Sequence, residues 1–208
     1  MLKSALPVAK TFLIAAIAMV ALSSCYLPVR FDAEIEIDRA GYYSMIFDGY
    51  MAHVPLYQDV VAKKITRKQE MERVARLKTD FMHDSASKEF KYHKQGVFKV
   101  HWEKKGDLLR HKMVTFVRRN QVILSLKYVK TKGVITVSAG GMSQVQRQRI
   151  LDAGLNMMGQ IRVITDARVI KSNASFKKKV KDKPGKIMYV WKIENIMSPS
   201  PSMVIAPG

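Results

Sequence analysis

From Val29 to Ile37 apolar and polar residues take turns. Val29, Phe31, Ala33, Ile35 and Ile37 fall on one side, and Arg30, Asp32, Glu34, Glu36 and Asp38 on the other. Period two with one polar face is the mark of a strand lying on a core. Asp38-Arg39-Ala40-Gly41 has turn chemistry, and Tyr42 to Met51 returns as an aromatic-rich strand, so the chain should open with a hairpin. Pro55 breaks this pattern, and a short stretch of mixed polarity runs on to Thr66. There the period becomes helical. Thr66 and Gln69 have capping-box spacing, and Met71, Val74, Ala75, Lys78, Phe81 and Met82 recur behind them up to His83-Asp84.

Alternation then resumes, with Phe98, Val100 and Trp102 set against Lys99, His101 and Glu103. Met113 to Val117 and Val122 to Val129 flank a turn at Arg118-Arg119-Asn120-Gln121. Thr131-Lys132-Gly133 makes the next turn, and Val134 to Ser138 the next strand, which together read as an antiparallel meander. Gly140-Gly141 closes it. Ser143 is placed to cap a second helix, whose expected buried face is Ile150, Ala153, Gly154, Met157 and Met158. Beyond Gly159 one extended segment runs from Ile161 to Ile170. A basic loop (Ser172 to Lys186) leads to a last strand with Ile187, Tyr189, Trp191 and Ile193. The Pro-rich tail holds at most a short edge strand around Met203 to Ala206. The order is β-hairpin, helix, β-meander, helix, β-hairpin: a single α+β domain over residues 29–206, built on an antiparallel sheet.

The N-terminus has a different pattern. Lys3 and Lys10 are the only charges before Arg30, and between them and Cys25 lies the apolar run Thr11 to Leu22. That run is shorter than the roughly 20 residues a membrane-spanning helix needs, but it fits the apolar region of an export signal. Leu22-Ser23-Ser24-Cys25 resembles the lipobox of bacterial lipoproteins: an aliphatic residue, two small ones and a cysteine. The resemblance implies a signal peptide over residues 1–24 and cleavage between Ser24 and Cys25. It also implies a lipid on the Cys25 thiol and a short tether over residues 25–28. Two or three acyl chains suffice for stable anchoring where one is marginal. The protein would then sit on the cell membrane or outer membrane, with its domain on the periplasmic or extracellular side.

Cys25 is the single cysteine in 208 residues, so the domain has no thiol for a disulfide, a thiolate metal site or a nucleophile. The formal net charge is +19, of which the signal carries two. Such a field attracts anions, and for an anchored chain the nearest are lipid head groups, glycolipid phosphates and wall polymers. Nucleic acid is not an expected partner of an exported protein. Locally the charge peaks at Lys177, Lys178, Lys179, Lys181, Lys183 and Lys186, which are candidates for contact with an anionic surface. A solvated lysine-rich loop is the plain alternative.

Candidate chemistry is sparse. His53, His83, His93, His101 and His111 form no ligand-spaced pair, and there is no GxSxG elbow. Gly140-Gly141-Met142-Ser143 precedes a helix but lacks the P-loop and dinucleotide spacings, so loop-plus-cap chemistry accounts for it. Asp32, Glu34 and Glu36 share a strand face, which suits a solvated row or partners for neighbouring lysines better than an acid/base pair. No catalytic residue, metal site or cofactor is expected.

With its strand just after Cys25 (Val29 to Ile37), its central helix and meander, and its terminal Asn173-then-Trp191 hairpin, the domain resembles the LppM-like family of bacterial lipoproteins. That resemblance implies an α+β domain at the cell envelope with affinity for lipid or glycolipid, and it brings no catalytic residues. Three functions stay open: a non-enzymatic binder of anionic lipid, glycolipid or wall polymer; an interaction subunit of an envelope complex; and an exported enzyme with a dispersed site.

Overall fold

A computed structural model describes residues 26–118 and 121–208. The segment expected to be an export signal (residues 1–24, with Ser24), the expected lipid attachment residue Cys25 and the centre of the Arg118–Gln121 turn lie outside the described residues.

The opening hairpin is formed by β1 (Tyr26–Ile37) and β2 (Tyr42–His53). β1 starts at Tyr26, inside the stretch expected to be a tether, because Tyr26 and Leu27 are both buried. The mixed stretch after Pro55 is a helix, α1 (Val54–Val61). Pro55 sits in its first turn, where no N–H is needed, and the His53 Nδ1 accepts the Leu56 N–H at 3.2 Å. The capping box of α2 (Arg67–Met82) forms as its spacing predicts. Its buried stripe, however, is Glu70, Val74, Leu77 and Phe81, and Met71 and Met82 face outward.

Then follow β3 (Ser87–Lys94), β4 (Val97–Asp107), the single turn α3 (Leu108–His111), β5 (Met113–Arg118), β6 (Gln121–Val129) and β7 (Val134–Ala139). The second long helix, α4 (Gln144–Asp152), ends earlier than its apolar spacing suggests. Gly154 takes a left-handed φ of 80°, and Leu155 N–H reaches back to the Ile150 carbonyl at 3.1 Å, so the chain turns out of the helix. Ile150 is buried as expected, but Met157 and Met158 are beyond the helix and Met158 opens a strand.

The run from Ile161 to Ile170 is two strands, β8 (Met158–Thr165) and β9 (Arg168–Ser172), and they belong to different sheets. The break is at Asp166, whose carboxylate accepts the Arg39 backbone N–H at 2.9 Å and its Nε at 3.1 Å. The basic loop contains a strand, β10 (Phe176–Lys179), hairpinned to β11 (Ile187–Ile193). The tail strand β12 (Ser202–Ala206) is interior, paired with β7 on one side and β9 on the other. Its period-two burial, with Met203 and Ile205 inside, places it there.

The architecture is α+β, with sheet orders β10-β11-β8-β1-β2-β4-β3 and β5-β6-β7-β12-β9. Pairing is antiparallel except between β1 and β8, which run parallel because most of the chain intervenes. The two sheets share one core. The Phe116 ring of the smaller sheet lies 4.8 Å from Trp102 and 5.0 Å from Phe47 of the larger, and Phe47 stacks on Phe31 at 5.5 Å. Beyond this contact α2 covers the larger sheet through Phe81, Phe90 and Phe98, stacked at 4.2 and 4.3 Å.

Phe116 is fully buried between the sheets, so Phe116→Ala should cost about 3–5 kcal/mol. Chemical denaturation of the two proteins, read from the midpoint at constant slope, checks this value.

Candidate functional site

Two places stand out: an apolar cleft between the ends of the sheets, and a basic corner where the sheets' edges meet. The cleft is walled by Phe31 of β1, Leu124 of β6, Ile161 of β8 and Ile193 of β11, with Met142 and Pro199 from the flanking loops. It is narrow, with a cavity of about 40 Å³ inside a cleft of about 580 Å³ counted out to its open mouth. Gly140 forms part of the wall. A Cβ there would stand 1.8 Å from the Val122 carbonyl oxygen, so this glycine serves close backbone approach. The α4 N-terminus behind it is satisfied by the Ser143–Gln146 capping box. Among the described residues Arg147 is the one charged residue in the lining, and its guanidinium is spent on the carbonyls of Met142, Ile196 and Ser198 at 3.1–3.2 Å.

The lysine run divides in two. Lys183 and Lys186 fold back over the larger sheet and bind Glu36, the latter at 2.7 Å. Their hydrogen bonds, Lys183 first, hold the Glu36 carboxyl below its ordinary 4.5. Lys177, Lys178 and Lys179 form the exposed edge strand β10, and Lys181 follows it. Arg168 and Lys171 of β9 and Lys192 of β11 are exposed and belong to neighbouring strands. Among the described residues none of these seven cations is paired with a carboxylate. From Arg168 to Lys192 there are nine basic residues and one acidic one, Asp182. Two large apolar side chains lie exposed among them, Ile170 at 52% and Phe176 at 41%. Ile170 occupies the irregularity in the β9–β12 register, where Lys171 and Val169 pair and it does not. A bulge of this kind turns a side chain out of the sheet.

The acidic row of β1 is on the outer face of the larger sheet, all of it engaged. Arg162 holds Asp32 at 2.6 Å and Glu34 at 3.0 Å. Asp48, directly across from Asp32, takes Lys99 and the His101 Nδ1 at 3.0 Å. Burial pushes the Asp48 carboxyl up, but Lys99 and His101 outweigh it and its pKa is lowered. Glu70 behaves likewise between Tyr92 and Arg67. The remaining histidines are structural or peripheral: His53 caps α1, His83 ends α2, His93 lies against Tyr50 at 5.3 Å and His111 ends α3. Among the described residues no group of three or more His, Cys, Asp or Glu is placed to hold a metal ion.

Comparison with known proteins adds little. No protein-family model matches the chain, and no curated protein is similar to it. Among solved structures, the NMR structure of the Mycobacterium tuberculosis LppM folded domain aligns with 86% of this chain and 90% of its own, at 10% identity and a TM-score of 0.39. That likeness is too distant to carry a residue role from one protein to the other. Among the described residues no helix is long and apolar enough to cross a membrane.

Sequence reasoning placed the six lysines in one group, and the structure separates Lys183 and Lys186 from the rest. It missed Arg168, Lys171 and Lys192, although the imbalance of charge over Arg168–Lys192 was a visible signal. The cleft had none, since its lining comes from five strands, α4 and the tail.

Because Glu36 has a depressed pKa, its ion pairs stabilise the fold fully above the ordinary carboxylate range and fade as pH falls through the lowered value. Glu36→Gln should therefore unfold at lower denaturant than the parent at pH 7, with the gap closing below about pH 4.5. Amide exchange over residues 180–186 should rise with it. A gap unchanged down to pH 2 would show that the pairs do not account for the difference.

Proposed function

We propose that this chain is a membrane-anchored lipoprotein of the bacterial cell envelope, whose basic α+β domain binds an anionic lipid or glycolipid without turning it over. The observation that carries this reading is the apolar cleft. Phe31, Leu124, Ile161 and Ile193 offer an incoming molecule hydrocarbon, and the polar side chains of the lining are already engaged: Arg147 with carbonyls, the Ser200 Oγ with Arg147 and the Ser198 Oγ with the Glu194 N–H. With a cavity of about 40 Å³ the slot suits a slender apolar group such as an acyl chain. Each methylene that leaves water contributes about 0.8 kcal/mol, so a few of them in the slot give useful affinity.

Further support comes from the groups with displaced pKa values. Glu36, Asp48, Glu70, Glu103, Arg162 and Asp166 all owe their shifts to ion pairs or hydrogen bonds outside the cleft. They are structural pairs, which favours binding over catalysis. A wall polymer is the weaker candidate ligand, since a polar chain gains nothing from an apolar slot. The anchor itself rests on Leu22-Ser23-Ser24-Cys25. An envelope protein partner is the second reading, and one surface favours it: Met71, Val74, Met82 and Phe90 line a groove between α2 and the open edge strand β3.

The test is binding of a fluorescent long-chain fatty acid to the purified protein. Ala139 lines the cleft, and Ala139→Leu should fill it and weaken binding about tenfold while thermal stability is kept. Met142→Ala, which widens the mouth, should leave binding intact. If the fatty acid binds both variants and the parent equally, the cleft is not the site. For the anchor, palmitate labelling in cells should disappear in Cys25→Ser.

A further inference from the structure

We propose that the β9–β10 corner docks onto the surface of an anionic bilayer, with Phe176 and Ile170 entering the head-group region and the surrounding lysines contacting lipid phosphates. The charge is local: among the described residues Arg168, Lys171, Lys177, Lys178, Lys179, Lys181 and Lys192 are exposed and have no carboxylate partner, whereas Asp32, Glu34, Glu36 and Asp48 on the face of the larger sheet are engaged with other cations. Lysines on an edge strand also deter strand pairing, which would account for β10 alone. It does not account for the cations on β9 and β11, nor for two large apolar side chains held out among them.

That combination favours a bilayer over a soluble polyanion. Basic residues near an anionic surface gain about 1 kcal/mol each, and apolar side chains gain only where hydrocarbon is within reach. Phe176 lies within a cation–π distance of Lys192, 5.6 Å from its ring centre, so the aromatic and cationic groups form one unit. The bulge at Ile170 turns it out of the smaller sheet while Phe176 stands at the edge of the larger, which gives the corner two apolar points on adjacent edges.

Geometry links this corner to the anchor, and here the inference rests on the reading of Cys25 as lipid-bearing. β1 begins at Tyr26 with both Tyr26 and Leu27 buried, so the domain hangs from the anchor with no slack. Phe176 is three strands from β1, in register with Glu34 through Val190 and Arg162. By strand spacing and rise the two points are ~30 Å apart. A domain held at both must lie tilted on the bilayer, its larger sheet's β10 edge against the lipid, rather than stand upright on its N-terminus. Lipid plus basic patch is the two-signal arrangement that makes attachment stable.

The experiment uses the full lipidated protein carried on vesicles of phosphatidylcholine alone, or with about a third phosphatidylglycerol, and reads amide exchange by segment. Flotation with the vesicles reports the anchor separately. The expected result is flotation on both vesicles, with exchange over residues 168–181 slowed about tenfold on the anionic ones only, and the slowing reduced at high salt. Lys177→Gln, Lys178→Gln and Lys179→Gln together should abolish the slowing and leave flotation unchanged. Ile170→Ser with Phe176→Ser should weaken it but keep its salt dependence. Flotation on both vesicles with equal exchange overturns the docking corner and leaves the anchor standing. Equal slowing by soluble polyphosphate overturns the bilayer as the partner. Flotation on anionic vesicles alone overturns the anchor and supports the corner.

Discussion

Trp191 is buried in the core and carries one N–H that must be satisfied there. The Asn173 Oδ1 accepts it at 2.8 Å, and the same oxygen accepts the Ser202 N–H at 2.8 Å, while Asn173 Nδ2 donates to the Ser200 carbonyl at 3.0 Å. One side chain thus ties β11 of the larger sheet to the entry of β12 in the smaller, at the crossing where β9 gives way to β10. The chain changes sheet twice in this region, and without a fixed crossing the two edges would have no defined relation. The basic corner, the tail wall of the cleft and the interior position of β12 all follow from that junction.

Charge is distributed with the same economy of place. The exposed face of the larger sheet brings Asp32 and Asp48 directly opposite each other, which is unfavourable by itself. Arg162 on one side and Lys99 with His101 on the other resolve the repulsion. Glu36 draws Lys183 and Lys186 out of the basic run and closes the 180–186 loop over the sheet. Asp32, Glu34, Glu36 and Asp48 are consumed in building this face, which leaves the cations of the β9–β10 corner without carboxylate partners among the described residues. Part of the net charge of +19 therefore has a location as well as a sign.

Much of this was legible in the residues. The β1–β2 hairpin, the capping boxes at Thr66 and Ser143, and the alternation in β4, β7 and β11 are local signals, and the structure obeys them. What could not be read was set by contacts distant in sequence. The α1 helix is short and depends on His53 for its cap, so Pro55 looked like a break. Gly154 outranked an apolar spacing that happened to continue as far as Met158. The split of Ile161–Ile170 depends on Asp166 meeting Arg39, 127 positions away. β12 is only five residues long and becomes interior because β7 and β9 both need a partner there. The cleft belongs to this class too, as no segment carries more than a few of its walls.

The cleft and the corner make different demands on a ligand, and they fit together. A slot lined by hydrocarbon selects a chain and is indifferent to charge, while a lysine-rich edge selects an anion and holds it weakly in salt. β8 and β11 serve both: Ile161 and Ile193 face the cleft at one end, and β11 carries β10 at its other side. The proposed lipid surface would meet both demands at once, since it would supply acyl chains and phosphates within a few ångströms of each other. β1 enters the core directly at Tyr26, so under the proposed attachment at Cys25 the domain would have little freedom to reach for either. On that reading, its site would lie where the proposed attachment already places it.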